Sequence, residues 1–250
     1  WRYVFLFSLI PALLALYIRF SLKDTWAFQE AKSQKKIKRA PIITLFKKEN
    51  RKTFFLLMAT TTGFFLTSYS FFLPTVLEKA PSTLPFGVAS LWYTYISLAA
   101  IIGTIVAGAA SQKLGRRGLG ILWSVITIIL LVPLFYLTMR GAMIYSPLLA
   151  LPSGLALGFL IQGIYGLMPA ITSERFTTEV RSSGAGFGYS AGIFIGGWDA
   201  FYIIFLHNAF IHIDTPTNLW FTGAILNMIG FIIIAIFLYL GPETRDVDLT

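Results

Sequence analysis

Leu219-Trp-Phe-Thr-Gly-Ala-Ile-Leu-Asn-Met-Ile-Gly-Phe-Ile-Ile-Ile-Ala-Ile-Phe-Leu-Tyr-Leu240 runs for 22 residues without a charge. About 20 mostly apolar residues in a helix cross the hydrocarbon of a bilayer, so this stretch has the length and composition of a membrane span. The rest of the chain repeats the pattern. Of its 250 residues 56% are hydrophobic, 16% aromatic and only 12% charged, with a mean hydropathy of +0.73. A soluble domain carries about twice that charge. A water-facing surface cannot be made from so few charges, so most of the chain faces lipid.

Working back from Leu219, charge-free runs place six further spans: Ser183–Leu206, Pro147–Pro169, Leu119–Met139, Gly87–Ala110, Thr53–Phe72 and a short first one, Tyr3–Ile18. In the first, Arg2 and Arg19 are able to snorkel to the two interfaces. Pro152 is a kink candidate near the start of its span. The expected fold class is therefore all-α, a polytopic membrane protein of seven transmembrane helices.

Basic residues orient the bundle. Alternate loops hold 17 Lys/Arg against 2, and 11 of the 17 fall between Arg19 and Lys52. The basic side is expected to be cytoplasmic, with Trp1 outside and Thr250 inside, in a multi-pass protein of the plasma membrane. The 19–52 loop has a net charge of +8, attractive to anionic lipid at about 1 kcal/mol per Lys/Arg. It also serves as a topology anchor and solvated linker. The net charge of +9 comes without any nucleic-acid motif, so no nucleic-acid partner is expected.

The absence of cysteine excludes disulfides, thiolate metal sites and a cysteine nucleophile. His207, His212 and Asp214 fall together in one loop and read as ordinary loop residues, so no metal or cofactor is expected. No Ser/His/Asp order, phosphate loop or carboxylate pair suggests an enzyme.

Three segments on the expected cytoplasmic side carry a resemblance. They are Gly108-Ala-Ala-Ser-Gln-Lys-Leu-Gly-Arg-Arg117, Glu174-Arg-Phe-Thr-Thr-Glu-Val-Arg181 leading into Ser182-Ser-Gly184, and Gly241-Pro-Glu-Thr-Arg245. Together they resemble the major facilitator superfamily, in particular its sugar-porter and metabolite:proton symporter branches. In those branches the helix eight–nine loop reads G-x-x-S-D-R-x-G-R-R, the helix ten–eleven segment reads E-x-x-P-T-x-x-R-x-x-G, and the tail begins P-E-T. Gln112 departs from the loop pattern by standing where an Asp is usual. The second span, Met58-Ala-Thr-Thr-Thr-Gly-Phe-Phe-Leu-Thr-Ser-Tyr69, lacks the Gln-Gln/Asn pattern that holds hexose hydroxyls, which favours the metabolite:proton branch.

The resemblance implies that residues 1–20 are helix six, 21–52 the central cytoplasmic linker and 53–250 the C-terminal six-helix bundle of a twelve-helix fold. The chain is then a piece of a longer protein, its partner being the missing N-terminal half. The function implied is alternating-access transport of a small polar solute, an organic acid or similar metabolite ahead of a sugar, coupled to protons. A seven-helix receptor-like protein or a non-transporting scaffold is the alternative; a retinal protein is excluded because the last span has no lysine.

By the same resemblance Arg116, Arg117, Glu174, Arg181 and Glu243 form ion pairs that bridge helix ends and shut the cytoplasmic side. The second and fifth spans line the cavity, offering Thr62 with Tyr69 and Gln162 with Tyr165 as substrate-facing pairs. The threonines have a plainer alternative in bonding their own helix backbone. Asp199 is the only acid well inside a span, where an ionised carboxyl costs about 2.5–3.5 kcal/mol. It is either a proton-coupling group or an outer-interface residue beside Trp198 and Tyr202. Gly184, Gly188, Gly192 and Gly196, four apart, form one face and read as a close-packing stripe. Asn227, alone in the last span, reads as glue between helices.

Overall fold

The computed structural model describes residues 6–7, 9–21, 41–68, 73–78, 84–177, 180–210 and 219–245, and all regular structure among them is helical. Tyr69, His212, Asp214, most of the basic linker and the last five residues lie outside the described residues. The chain divides into two units, Trp1–Arg39 with Thr250, and Ala40–Leu249. In the first, α1 (Leu9–Ser21) is a 13-residue apolar helix with Arg19 in its last turn. That is shorter than a full span.

The larger unit holds α2 (Pro41–Leu45), α3 (Lys48–Leu66), α4 (Leu73–Glu78), α5 (Phe86–Leu114), α6 (Arg116–Met143) and α7 (Pro147–Gly163). A 3₁₀ turn, Ile164–Leu167, leads into α8 (Met168–Glu174), followed by α9 (Arg181–Gly196), α10 (Asp199–Phe210) and α11 (Leu219–Leu240). Five passages are long and apolar enough to cross a membrane: Phe86–Leu114, Arg116–Met143, Pro147–Glu174, Arg181–Ala209 and Trp220–Leu240. The expected Thr53–Phe72 span differs. Its helix starts earlier, at Lys48, with four charged residues in its first turns, and ends at Leu66, so its apolar part is short.

The helices pack as two groups of three. α5, α6 and α7 contact one another, α3 is flanked by α9 and α11, and α11 joins the groups through α6. Outward faces carry Ile105, Ile129, Phe194 and Leu148, all more than half exposed. So much apolar surface on a described bundle is stable against lipid, not against water. The chain is thus an all-α, multi-pass membrane protein.

Two local sequences shape the spans around the site. Pro152 sits inside an uninterrupted α7, and the irregularity comes later. Pro169 has no N–H to return to the Tyr165 carbonyl, the helix tightens to 3₁₀ over Ile164–Leu167, and the Met168 N–H closes on that carbonyl instead. The expected Ser183–Leu206 span is broken between Gly196 and Asp199. Consecutive glycines at 196 and 197 make the break inexpensive.

Gly188, Gly192 and Gly196 of the glycine stripe are buried against α3, while Gly184 packs on Phe176. A Cβ on Gly192 would lie 2.0 Å from Thr61 Oγ1, and one on Gly196 would lie 2.5 Å from the Thr62 carbonyl. Thr61 Oγ1 also lies 3.1 Å from the Gly188 carbonyl across the contact.

Candidate functional site

Gly115 ends α5 at φ 85°, and α6 begins at the next residue. So abrupt a reversal leaves the first N–H groups of α6 without a cap from its own chain segment. Glu243 supplies it from the far end of the sequence. Its Oε1 accepts from the Arg116 N–H at 2.8 Å and its Oε2 from the Arg117 N–H at 3.0 Å. Oε1 also accepts from the N–H groups of Thr244 (2.9 Å) and Arg245 (3.1 Å). Partial burial pushes the Glu243 carboxyl up, but these four backbone donors outweigh it and hold the group below the ordinary carboxylate value. The positive end of the α6 dipole favours the same ionised form.

The Arg116 side chain turns inward from that position. Its Nη2 pairs with Glu174 Oε1 at 3.1 Å, the two side chains being only 8% and 12% exposed. Its Nη1 donates to Ser111 Oγ at 2.6 Å and its Nη2 to Gln112 Oε1 at 3.3 Å. Gln112 therefore offers this arginine an acceptor without a charge. The hydroxyl of buried Thr244 donates to Glu174 Oε2 at 2.7 Å. Arg245 closes the group, donating to the Lys113 carbonyl at 2.7 Å. The result is a clamp joining the ends of α5, α8 and α11 to the start of α6.

Of the five residues expected to bridge helix ends, Arg116, Glu174 and Glu243 meet. Arg117 joins through its backbone, while its guanidinium sits 5.1 Å from the centre of the Tyr239 ring. Arg181 is placed differently, its Nε donating to the Phe176 carbonyl at 3.2 Å. Arg175 escaped the sequence reading. Its Nε and Nη1 are buried without a partner among the described residues, its Nη2 packs on Gly241, and burial lowers its guanidinium to about 10. It remains a cation at neutral pH beside the clamp. Glu174 gave the only signal, as the preceding residue in the quoted motif.

Of the two cavity pairs, Gln162 and Tyr165 separate, while Tyr69, the partner of Thr62, lies outside the described residues. Thr62 is buried and its hydroxyl donates to the Met58 carbonyl at 2.9 Å, as Thr60 and Thr61 likewise bond their own helix. Tyr165 turns to α3, its hydroxyl donating to the Phe64 carbonyl and its ring lying edge-on to Phe64 at 5.4 Å. Gln162 instead lines a cleft of about 290 Å³ between α5 and α7, opposite Tyr93, Ser97 and Thr104. The 3₁₀ turn after Gly163 parts the two side chains that a regular helix would place on one face. Tyr93, Ser97 and Thr104 were legible as a polar helical stripe, spaced four and seven apart, but their span was not expected to line the cavity. Asn227 is also different from expectation, its Nδ2 donating to the Gly223 carbonyl of its own helix at 2.9 Å.

Asp199 stands at the first turn of α10, 7% exposed. The Ser68 hydroxyl, just past the end of α3, contacts its Oδ2, and its Oδ1 is buried without a partner among the described residues. Its carboxyl is thus buried within the protein, beside the exposed rings of Trp198 and Phe201.

Long apolar helices closed at one end by a buried charge clamp define a helical multi-pass membrane protein. The sequence matches the family model described as Major Facilitator Superfamily over residues 1–198. It is similar to the inner membrane metabolite transport protein YhjE of Escherichia coli K12, 33% identical over 100% of this chain and 55% of that protein. A putative metabolite transport protein of Haemophilus influenzae is 28% identical over 100% of this chain and 57% of its own length. The cis,cis-muconate transport protein of Acinetobacter baylyi is 26% identical over 77% of this chain and 46% of its own length. No solved structure matches. The chain belongs to the major facilitator superfamily, a family of transporters and not of enzymes. It spans about half the length of the curated relatives it matches.

Proposed function

We propose that this chain forms helices six to twelve of a twelve-helix secondary transporter that moves a small organic acid or similar polar metabolite by alternating access, driven by protons. The relative named for cis,cis-muconate transport supports a carboxylate-bearing solute. Residues 1–20 are helix six, 21–52 the basic linker on the anionic cytoplasmic leaflet of the plasma membrane, and 53–250 the C-terminal bundle. The N-terminal half supplies the other wall of the cavity. Gln162, with Tyr93, Ser97 and Thr104, faces the solute on this side; Thr62 and Tyr165 hold the helices that frame it. Asp199 carries the proton.

The observation that carries the reading is the Arg116–Glu174–Glu243 clamp, which in this proposal is the cytoplasmic gate in its closed state. Removing Arg116 from its buried pair with Glu174 costs about 3–5 kcal/mol, enough to shift a closed-to-open ratio by about 100-fold or more, and removing Glu243 acts in the same direction by uncapping α6. In the full-length protein, Arg116→Ala or Glu243→Ala should raise the rate at which cysteine reagents label cytoplasmic-end positions. Unchanged labelling would remove the clamp from the gating cycle.

A further inference from the structure

Ser68 Oγ has two acceptors within reach, the Phe65 carbonyl at 2.6 Å and Asp199 Oδ2. A hydroxyl has one hydrogen. With Asp199 ionised, three oxygens share one hydrogen and one contact is left between bare lone pairs. The second carboxylate oxygen, Oδ1, is buried with no partner among the described residues. For a carboxylate that is an uncompensated charge; for an acid carbonyl it is an ordinary unfilled lone pair.

A single added proton completes the set. Asp199 Oδ2–H donates to Ser68 Oγ, and the Ser68 hydrogen goes to the Phe65 carbonyl. We infer that Ser68 and Asp199 form a proton-operated latch, in which a proton on Asp199 ties the carboxyl end of α3 to the amino end of α10 and loss of that proton releases it.

Among the described residues, the titratable groups at this level on the packed elements are phenols: Tyr165, bonded to the Phe64 carbonyl; Tyr202, bonded to the Ile195 carbonyl at 2.7 Å; and Tyr189, edge-on to Phe65. His207 lies two turns along α10, and α11 has no ionisable side chain but Tyr239 at its far end. The charged residues of α3 (Lys48, Glu49, Arg51, Lys52) and the Arg181 that opens α9 sit at the opposite ends of those helices. The latch sits beside the glycine-lined α3–α9 contact, at the break after Gly196 that separates α9 from α10. The inference deepens the proton-driven reading, yet its chemistry is measurable without any solute.

The test is infrared difference spectroscopy on the full-length protein in lipid, between acid and alkaline pD, with no substrate added. A protonated-carboxyl C=O band should form on the acid side, vanish in Asp199→Asn, move to higher frequency in Ser68→Ala and return in Ser68→Thr, which restores the hydroxyl. Cysteine labelling beside residue 68 should be slow at acid pH and fast at alkaline pH in the parent. It should be slow at both in Asp199→Asn, whose amide donates as the acid does, and fast at both in Ser68→Ala. A band unchanged in Asp199→Asn, or a frequency unmoved in Ser68→Ala, would overturn the latch. So would a carboxylate signal that changes on replacing choline by Na⁺ at fixed pD, which would make the occupant a metal cation. Failure of solute uptake alongside the expected spectra would sink the transporter reading and leave the latch standing.

Discussion

Gly115 holds φ 85° and ψ 154°, a conformation nearly closed to residues with a Cβ, and a Cβ there would meet Glu243 Oε2 at 2.6 Å. Three residues on, Gly118 is helical with open space where its Cβ would be. Gly115→Ala should therefore destabilise the protein by about 1–3 kcal/mol, while Gly118→Ala should leave it unchanged or stabilise it by roughly 0.5–1 kcal/mol. Thermal unfolding of the two variants in lipid nanodiscs separates these outcomes. The glycine, the two arginines and Glu243 were all readable as motif letters. Their joint purpose was not, because an N-cap supplied from 127 residues away leaves no local mark. Gln112 shows the converse: its departure from the acidic pattern was visible, but only its 3.3 Å contact shows that an amide oxygen serves Arg116 in its place.

The four-residue glycine repeat in α9 announced close packing, and α3 supplies the partner, with Thr61 filling the space beside Gly192. Gly192→Ala should push the helices apart and cost about 1–3 kcal/mol, whereas Gly186→Ala, with open space at its Cβ, should be harmless. Unfolding midpoints for the pair are the check; equal values would mean that α3 and α9 do not bear on each other as described. Span boundaries were legible wherever hydropathy changes sharply: α11 occupies Leu219–Leu240 as read. They were less so at the ends of α3, where a charged turn extends the helix backward, and at Gly196–Asp199, where a broken helix keeps a continuous apolar pattern.

Across the whole bundle, the clamp makes distant chain segments depend on the charge of Glu243. Glu243 is held below its ordinary carboxylate value, so the stability it brings is present in full above that value and is lost as pH falls through the lowered folded value. The clamp end should stay intact at neutral pH and loosen only in strong acid. Glu243→Gln should remove that acid-side loss of stability, measured as the midpoint temperature between pH 7 and pH 3. A wild-type profile in the variant would assign the acid transition to other carboxyls.

What the sequence determined by itself is the class of the molecule: apolar runs of span length, separated by short loops with a one-sided charge bias, leave a chain no stable home but a bilayer, and its motifs place it among the facilitators. Those signals are local or periodic, so one dimension carries them. The tertiary structure alone decided which side chains meet. It paired Arg116 with Glu174 away from water, bonded the Thr62 and Tyr165 hydroxyls to α3 carbonyls, and set Asp199 against Ser68 across 131 residues. Such contacts depend on helix rotation, on a 3₁₀ turn and on a break at two glycines. These shift which face a residue presents without altering the hydropathy that marks the span.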